Sequence, residues 1–437
     1  MDFMKKNCIL IVTLLAISLP ACSISLDVVS LDAPKTTSFS EHVLANTFSV
    51  NDNLLVASDD AESRNGLFIQ APKDDDVVLK DDETEKEQKY TTKLFSSLSK
   101  TAKDVYNLQV EQTATPVPLL KDKLTFSMEK GPLESLHLWS AYQMNFSTLI
   151  PEKKDTDSKF DLGVINVLID GKFRGGKEGF RVMLDPTHRH SHPNFMQPFF
   201  QDFYVESNRI PHTNILVGNS RPGVGVEGAQ SPYNLPFISR SQISRNLANA
   251  RKFGVRVRGD YSLLNYDTGF YSSCTNFTDF FPGYEYNAWV NVKPLGRTDG
   301  RYGKLVTGSG LQSGEKHGTS YYLTGGYVGY EYKKAWTKFE YARANGSNGG
   351  SGLTNKHSQG LFWTIGYHLT KKLEVLARYD QFDPDRDVKN NNQKEYTLGA
   401  NYYLKGQALK LIFNYIYSQN DNRADSHKLM VGTQIIL

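Results

Sequence analysis

Alternation of apolar and polar side chains dominates the chain from about residue 134 to its end. The segment 284–293 places Tyr284 and Val290 on one face of an extended chain, and Glu285 and Asn291 on the other. Segments of about ten residues with this pattern are typical of strands that cross a membrane in a β-barrel. Their apolar side chains then face lipid and their polar side chains face the lumen.

Sixteen such segments predict a closed barrel. Their approximate bounds are 134–148, 160–173, 178–186, 200–209, 213–220, 252–261, 263–273, 284–294, 303–312, 320–332, 335–345, 358–370, 372–382, 394–405, 408–419 and 427–437. A soluble β-sandwich is disfavoured, because its strands usually have about 5–6 residues and its outer faces are polar. The predicted fold class is all-β: a 16-stranded antiparallel transmembrane β-barrel with a mostly flexible or helical N-terminal extension.

Short turns and longer loops alternate between these segments. The short joints are 175–176, 210–212, 262, 333–334, 370–371 and 406, and the longer ones include 187–199, 221–251, 274–283, 346–357 and 383–393. Barrels of outer membranes have short periplasmic turns and longer extracellular loops. The start of the first strand and the end of the last strand are therefore predicted in the periplasm, as is the Lys333-Lys334 turn. Residues 346–357 are predicted outside the cell.

The first 21 residues predict an export signal. Lys5 and Lys6 precede an apolar run from Cys8 to Leu19 that is too short to span a bilayer comfortably. Leu19-Pro20-Ala21-Cys22 also resembles a bacterial lipobox, so lipidation of Cys22 and ordinary cleavage nearby both remain open. Either route exports the protein, which argues against a nucleic-acid partner.

Residues 22–122 predict a polar, acidic periplasmic extension ahead of an outer-membrane barrel at 123–437. Its acidic cluster at Asp74–Asp76 and its few apolar residues favour a flexible segment. A helix is the alternative at 85–112, where Leu94 and Leu98 recur at helical spacing.

Composition narrows the class of protein further. A mean hydropathy of −0.46 excludes a bundle of membrane helices, and three cysteines exclude a disulfide scaffold. The net charge of +3 is uneven. The first 122 residues hold 12 of the 50 basic and 19 of the 47 acidic side chains, which leaves the rest of the chain at +10. The net positive charge of the residues after 122 favours an anionic partner.

The stretch 221–258 concentrates these positive charges, with Glu227 as its single acid. The candidate anion-binding residues are Arg221, Arg240, Arg245, Arg251, Lys252, Arg256 and Arg258. A loop of about 30 residues inside a compact fold is usually functional, so 221–251 is predicted to fold into the barrel as a constriction. Arginine suits oxyanions because its fork donates paired hydrogen bonds and stays charged.

Weaker candidates lie on the predicted lumen wall. They are Arg181, Lys338, Arg378 and Lys410, and acids such as Glu340 and Asp380 share their faces. The run His188–His192 lacks a fourth ligand at a definite spacing, so no metal is expected. No catalytic motif and no cofactor site is evident, and an enzyme is not predicted.

Several blocks of the sequence resemble one porin family. They are Asn214–Gly218, Arg221–Glu227, Ser239–Ser241, Leu247, Arg251–Arg256, Ala377–Asp385, Tyr396–Tyr403 and Asn414–Tyr417. In order and character they look like the phosphate-selective porins O and P of Gram-negative outer membranes, over roughly 134–437. The resemblance implies a sixteen-stranded barrel, usually trimeric, with a constriction loop between its fifth and sixth strands. The chain departs from the family in ending on Leu437 rather than an aromatic residue.

The sequence thus predicts an outer-membrane porin, surrounded by lipid and assembled as a homotrimer, for passive diffusion of small inorganic anions such as phosphate. A general porin with little selectivity is the first alternative. A structural outer-membrane protein tethered through its N-terminal extension is the second.

Overall fold

The computed structural model describes residues 116–187, 199–274, 281–298 and 300–437. The predicted signal, Cys22, the helix at 85–112 and the run His188–His192 lie outside the described residues. No helix within the described ranges is long and apolar enough to cross a membrane. No group of three or more His, Cys, Asp or Glu side chains in those ranges is arranged to hold a metal ion.

Nearly all of the described chain is β-strand. The strands are β1 (Thr125–Ser127), β2 (Leu133–Pro151), β3 (Asp157–Phe173), β4 (Glu178–Leu184), β5 (Phe200–Ser207), β6 (Thr213–Ser220), β7 (Lys252–Asp260), β8 (Leu264–Ser272), β9 (Tyr284–Val292), β10 (Lys304–Lys316), β11 (Thr319–Tyr332), β12 (Ala335–Gly349), β13 (Gly352–His368), β14 (Leu373–Asp383), β15 (Gln393–Tyr403), β16 (Leu409–Asn420) and β17 (Arg423–Ile436). The strands β2 to β17 correspond one to one to the sixteen predicted segments.

These sixteen strands form a closed antiparallel barrel. Each pairs with its neighbour in sequence, and β17 closes the ring by pairing with β2 from Ser426 opposite Pro151 to Ile436 opposite Ala141. The predicted fold is confirmed. The short β1, which the sequence did not predict, pairs with the start of β2, where Thr125 lies opposite His137.

Alternation along the strands separates a lipid face from a lumen face. In β9, Tyr284 is 53% exposed and Glu285 is fully buried. Outward tyrosines form two levels, as in the aromatic girdles of membrane barrels. The outer level comprises Tyr284, Tyr322, Tyr341, Tyr379, Tyr396 and Tyr417, and the inner level comprises Tyr266, Tyr330, Tyr332, Tyr367 and Tyr402.

One predicted outer loop is instead strand. Residues 346–357 belong largely to extensions of β12 and β13, which a two-residue turn joins at Gly350-Ser351. Glycine and asparagine in this stretch suggested a loop. The extensions form because Ser347 and Asn348 pair with Thr354 and Leu353 beyond a register shift.

The arrangement of turns predicts which rim faces the periplasm. A cysteine replacing Lys389, in the exposed loop between β14 and β15, should react with an impermeant maleimide on intact cells. A cysteine replacing Lys333, in the tight turn between β11 and β12, should react only after the outer membrane is opened. The unsubstituted protein is the control, since Cys274 is buried. The reverse pattern of labelling would invert the orientation.

Candidate channel constriction

Residues 221–251, called the constriction loop from here on, fold into the barrel between β6 and β7. The loop contains α1 (Val226–Ala229), a 3₁₀ turn (Pro232–Asn234) and α2 (Gln242–Leu247). Its backbone bonds to the wall at β2 and β16, two strands that β17 separates in the closed barrel. Pro232 O accepts from Gln143 of β2 at 3.2 Å, and Ile238 N donates to Asn414 of β16 at 2.9 Å. The inward fold predicted for this loop is therefore present.

Two wall carboxylates hold the loop at the starts of its helices. Glu340 of β12 accepts from Val226 N at 3.2 Å and from Glu227 N at 3.1 Å. Asp380 of β14 accepts from Gln242 N at 2.8 Å. The first backbone N–H groups of a helix lack partners within the helix, so an acceptor there stabilises it. The alternation in the sequence predicts these two acids only as wall residues.

The predicted wall cations also hold the loop. Arg378 Nη1 donates to Ser239 O at 3.1 Å and lies 3.8 Å from the Glu227 carboxylate. Lys410 Nζ donates to Leu235 O at 2.9 Å. Lys338 Nζ lies 3.5 Å from Gln230 Oε1. All three side chains are buried beneath the loop. They face the lumen as predicted, but they contact the loop as well as neighbouring wall residues such as Gln407 and Asp380.

Apolar packing closes the half of the lumen bounded by β9 to β14. One cluster joins Val224, Ile243 and Leu247 of the loop to Phe362 and Phe382 of the wall. A second joins Val226 and Phe237 to wall side chains that include Trp289, Tyr327 and Trp336. The sequence pattern did not predict this plug. Its signal was available in β9, because Trp289 occupies a lumen position in a strand whose other lumen residues, Glu285, Asn287 and Asn291, are polar.

Two cavities formed by the described residues lie on the other side of the loop. The outer vestibule, of about 410 Å³, lies against β2, β3, β16 and β17, and includes Asp161 and Lys428. The inner chamber, of about 140 Å³, includes Leu168, which is further along β3 toward the turn that joins β3 to β4, at the rim predicted to face the periplasm. The two cavities share Met183, Arg221, Pro232 and Arg251. These four residues define the eyelet, the place where the cavities meet.

The candidate arginines gather along these cavities. Arg240 and Arg245 line the outer vestibule, and Arg221 and Arg251 line the eyelet. Arg181, Arg256 and Arg258 line the inner chamber. The sequence-predicted set thus comes together, except for Lys252. That side chain is buried against Glu285 of β9, and its Nζ lies 5.6 Å from the centre of the Tyr321 ring.

Carboxylates neutralise several of these arginines. The pairs are Arg251 with Asp202 at 2.6 Å, Arg256 with Asp267 at 2.8 Å, Arg245 with Glu395 at 2.7 Å and Arg181 with Asp170 at 2.6 Å. Arg258 donates to Asn214 Oδ1 at 2.7 Å and lies 3.9 Å from Glu206. Part of the positive charge that the sequence suggested is therefore balanced locally.

Arg221 and Arg240 differ from the others, because neither has a carboxylate within 4.0 Å among the described residues. Both donate to the carbonyl of Gln230, Arg221 Nη1 at 3.1 Å and Arg240 Nη2 at 2.6 Å, so their guanidinium groups are adjacent. Arg221 Nε is buried and has no hydrogen-bond partner among the residues that the structure describes.

Burial and like charge raise the free energy of these two cations. Burial, opposed by Glu227 and reinforced by Arg251, lowers the pKa of Arg240 to about 10, so its guanidinium remains charged at neutral pH. Burial and the charges of Arg251 and Arg240 lower the pKa of Arg221 well below its ordinary value. An anion at the eyelet would favour the charged form of both side chains.

Comparison with known proteins supports the resemblance found in the sequence. The model of the family described as Phosphate-selective porin O and P matches residues 301–437. The constriction loop lies outside that match. No curated protein matches the chain.

Solved structures share the fold at low sequence identity. One is the anion-selective porin from Comamonas acidovorans, with a TM-score of 0.52 and 12% identity, covering 69% of this chain and 99% of that chain. Another is the outer membrane channel DcaP of Acinetobacter baumannii, with a TM-score of 0.51 and 9% identity, covering 71% of this chain and 99% of that chain. The chain thus resembles this family over residues 301–437, shares the barrel fold of these channels, and is placed in the outer membrane of a Gram-negative type of bacterium.

Proposed function

We propose that this outer-membrane porin is a channel for passive diffusion of small anions, with phosphate and other oxyanions as its candidate substrates. The observation that carries the proposal is the adjacent pair Arg221 and Arg240, which lies beside the eyelet without a carboxylate partner. Their guanidinium groups can donate several hydrogen bonds to the oxygens of one tetrahedral anion. No catalytic step is involved.

The charge of these two cavities supports the same proposal. The residues that line the two cavities include eight cationic and four acidic side chains, a difference of +4. Fixed positive charge in a narrow passage with low-dielectric walls raises the local concentration of anions. A general porin is disfavoured, since a wide passage would keep most ions hydrated and far from any single charge.

Ion substitution in a planar bilayer tests this function. If anions carry the current, replacing potassium by lithium in chloride solution should leave the conductance almost unchanged, after correction for bulk mobility. Replacing chloride by the larger glutamate should reduce it strongly. A conductance that follows the cation instead would contradict the proposal. A protein with a purely structural role would show no channel current.

The barrel surface supports a homotrimer, the assembly that the family resemblance implies. Strands β4 to β7 have only 7 to 9 residues, against 13 to 17 in β10 to β13. Seven tilted residues at about 3.3 Å each do not span an apolar band about 25 Å tall. No outward tyrosine or tryptophan lies on β3 to β7, where lipid contact would favour a girdle. We infer that other copies of the chain cover this face.

A charge placed on this face tests the trimer. Val255→Arg, on the outer face of β7, should give monomers in detergent by light scattering, because the charge would be buried between copies. Leu398→Arg is the matched control, since Leu398 projects outward from β15 in the girdled part of the barrel. Loss of the trimer in the control alone would place the interface on the opposite side.

A further inference from the structure

We propose that the outer vestibule binds organic anions that carry an apolar group, such as aryl carboxylates and aryl phosphonates. The inference rests on the proposed function, because the eyelet arginines must attract the anionic group. It goes further by naming a ligand class that uses the vestibule wall as well as its charge.

An apolar strip runs along one side of the vestibule. Val164 of β3, Ile412 of β16 and Met430 of β17 face inward there, and Leu235 and Ile238 of the constriction loop join them. Lumen positions of a water-filled barrel are expected to be polar. Five apolar side chains around a cavity that ends at arginines therefore call for an apolar ligand group or for simple loop packing.

The cavity itself argues against simple packing. Where the loop packs against β9 to β14, apolar side chains of the loop and the wall form continuous clusters. Beside Ile412 and Met430 the same loop leaves an open volume of about 410 Å³, within the range of roughly 300–1,000 Å³ typical of small-molecule sites.

The strip and the arginines are close enough to serve one ligand. Pro232, Leu235 and Arg240 belong to one short run of the loop, and Arg221 and Arg251 border the same cavity. A ligand could therefore place its carboxylate or phosphonate at the eyelet and its ring against Ile412 and Met430. Inorganic phosphate has no apolar surface and would gain nothing from the strip.

Block of chloride current by matched pairs of anions tests the inference. Benzoate is compared with acetate, and phenylphosphonate with phosphate, so that each pair shares its anionic group. Burying a phenyl ring strengthens binding by roughly ten- to a hundredfold. The half-blocking concentration of benzoate should therefore be lower than that of acetate by about that factor. The half-blocking concentration of phenylphosphonate should be lower than that of phosphate by a similar factor.

Substitution of the strip separates its role from that of the arginines. Ile412→Thr with Met430→Gln should bring benzoate close to acetate and leave the ratio of chloride to potassium permeability unchanged. Ile416→Thr is the matched control, because Ile416 faces inward on β16 but does not line the vestibule. It should keep the benzoate block.

Each outcome decides between the proposals. Anion selectivity with equal block by benzoate and acetate would overturn the organic-anion site and leave the proposed function intact. An equal loss of benzoate block in the Ile416→Thr control would also overturn it. A wild-type channel that prefers cations would defeat the proposed function itself, whatever benzoate does.

Discussion

Replacing Arg221 and Arg240 together by glutamine is expected to abolish the preference for anions. Neither guanidinium group has a carboxylate partner among the described residues, so the substitution removes two uncompensated charges from beside the place where the two cavities meet. Two unit charges about 4 Å apart interact by roughly 4 kcal/mol at an effective dielectric near 20, and by about 1 kcal/mol in bulk water. Even near the lower figure, losing two charges should reduce the chloride-to-potassium permeability ratio about tenfold.

A matched double variant controls for net charge. Arg209→Gln with Arg301→Gln removes the same charge from exposed turns at the periplasmic rim and should change selectivity little. Arg256 and Arg258, the adjacent pair on β7, are a less clean target, because loss of Arg256 leaves the Asp267 carboxylate uncompensated. Equal selectivity in the eyelet variant and the rim variant would show that Arg221 and Arg240 do not control permeation.

Glu340→Ala is expected to release the constriction loop and raise the single-channel conductance several-fold. The substitution leaves the buried N–H groups of Val226 and Glu227 without their acceptor. Each unpaired buried N–H costs about 1–3 kcal/mol, so the start of the loop should detach from β12. The half of the lumen that the loop now closes would then conduct, with greater current noise and weaker anion selectivity.

The conservative variant Glu340→Gln separates loop release from a change in charge. Glutamine keeps one acceptor oxygen, so its conductance should lie between those of the wild type and the alanine variant. If both variants become more anion-selective at unchanged conductance, Glu340 acts through its charge rather than by holding the loop.

The barrel could be predicted from the sequence because apolar residues on the lipid face of each strand alternate with polar residues on its lumen face. Tyr284 and Glu285 occupy the faces that the pattern assigns to them. Strand ends were harder to place. The pairing of Ser347 with Thr354 depends on a register shift between neighbouring strands that glycine-rich sequence does not reveal.

The constriction was only partly predictable. The positive charge of the constriction follows from the composition of residues 221–258. Which of these basic side chains pair with carboxylates depends on strands that are distant in sequence. Asp202 pairs with Arg251, and Glu285 takes Lys252 away from the passage. The position of the opening also depends on tertiary packing, since Phe237 of the loop packs with Trp289 of β9 and closes one half of the lumen. Only the fold brings these residues together.

The zero-current potential of the wild-type channel in a potassium chloride gradient tests the central claim most directly. If the eyelet arginines make the passage anion-selective, the potential should have the sign set by chloride at low salt. It should shrink as salt rises, because the Debye length shortens from about 10 Å at ~0.1 M to about 3 Å at ~1 M. A potential near zero, or of the sign set by potassium, at low salt would contradict the account.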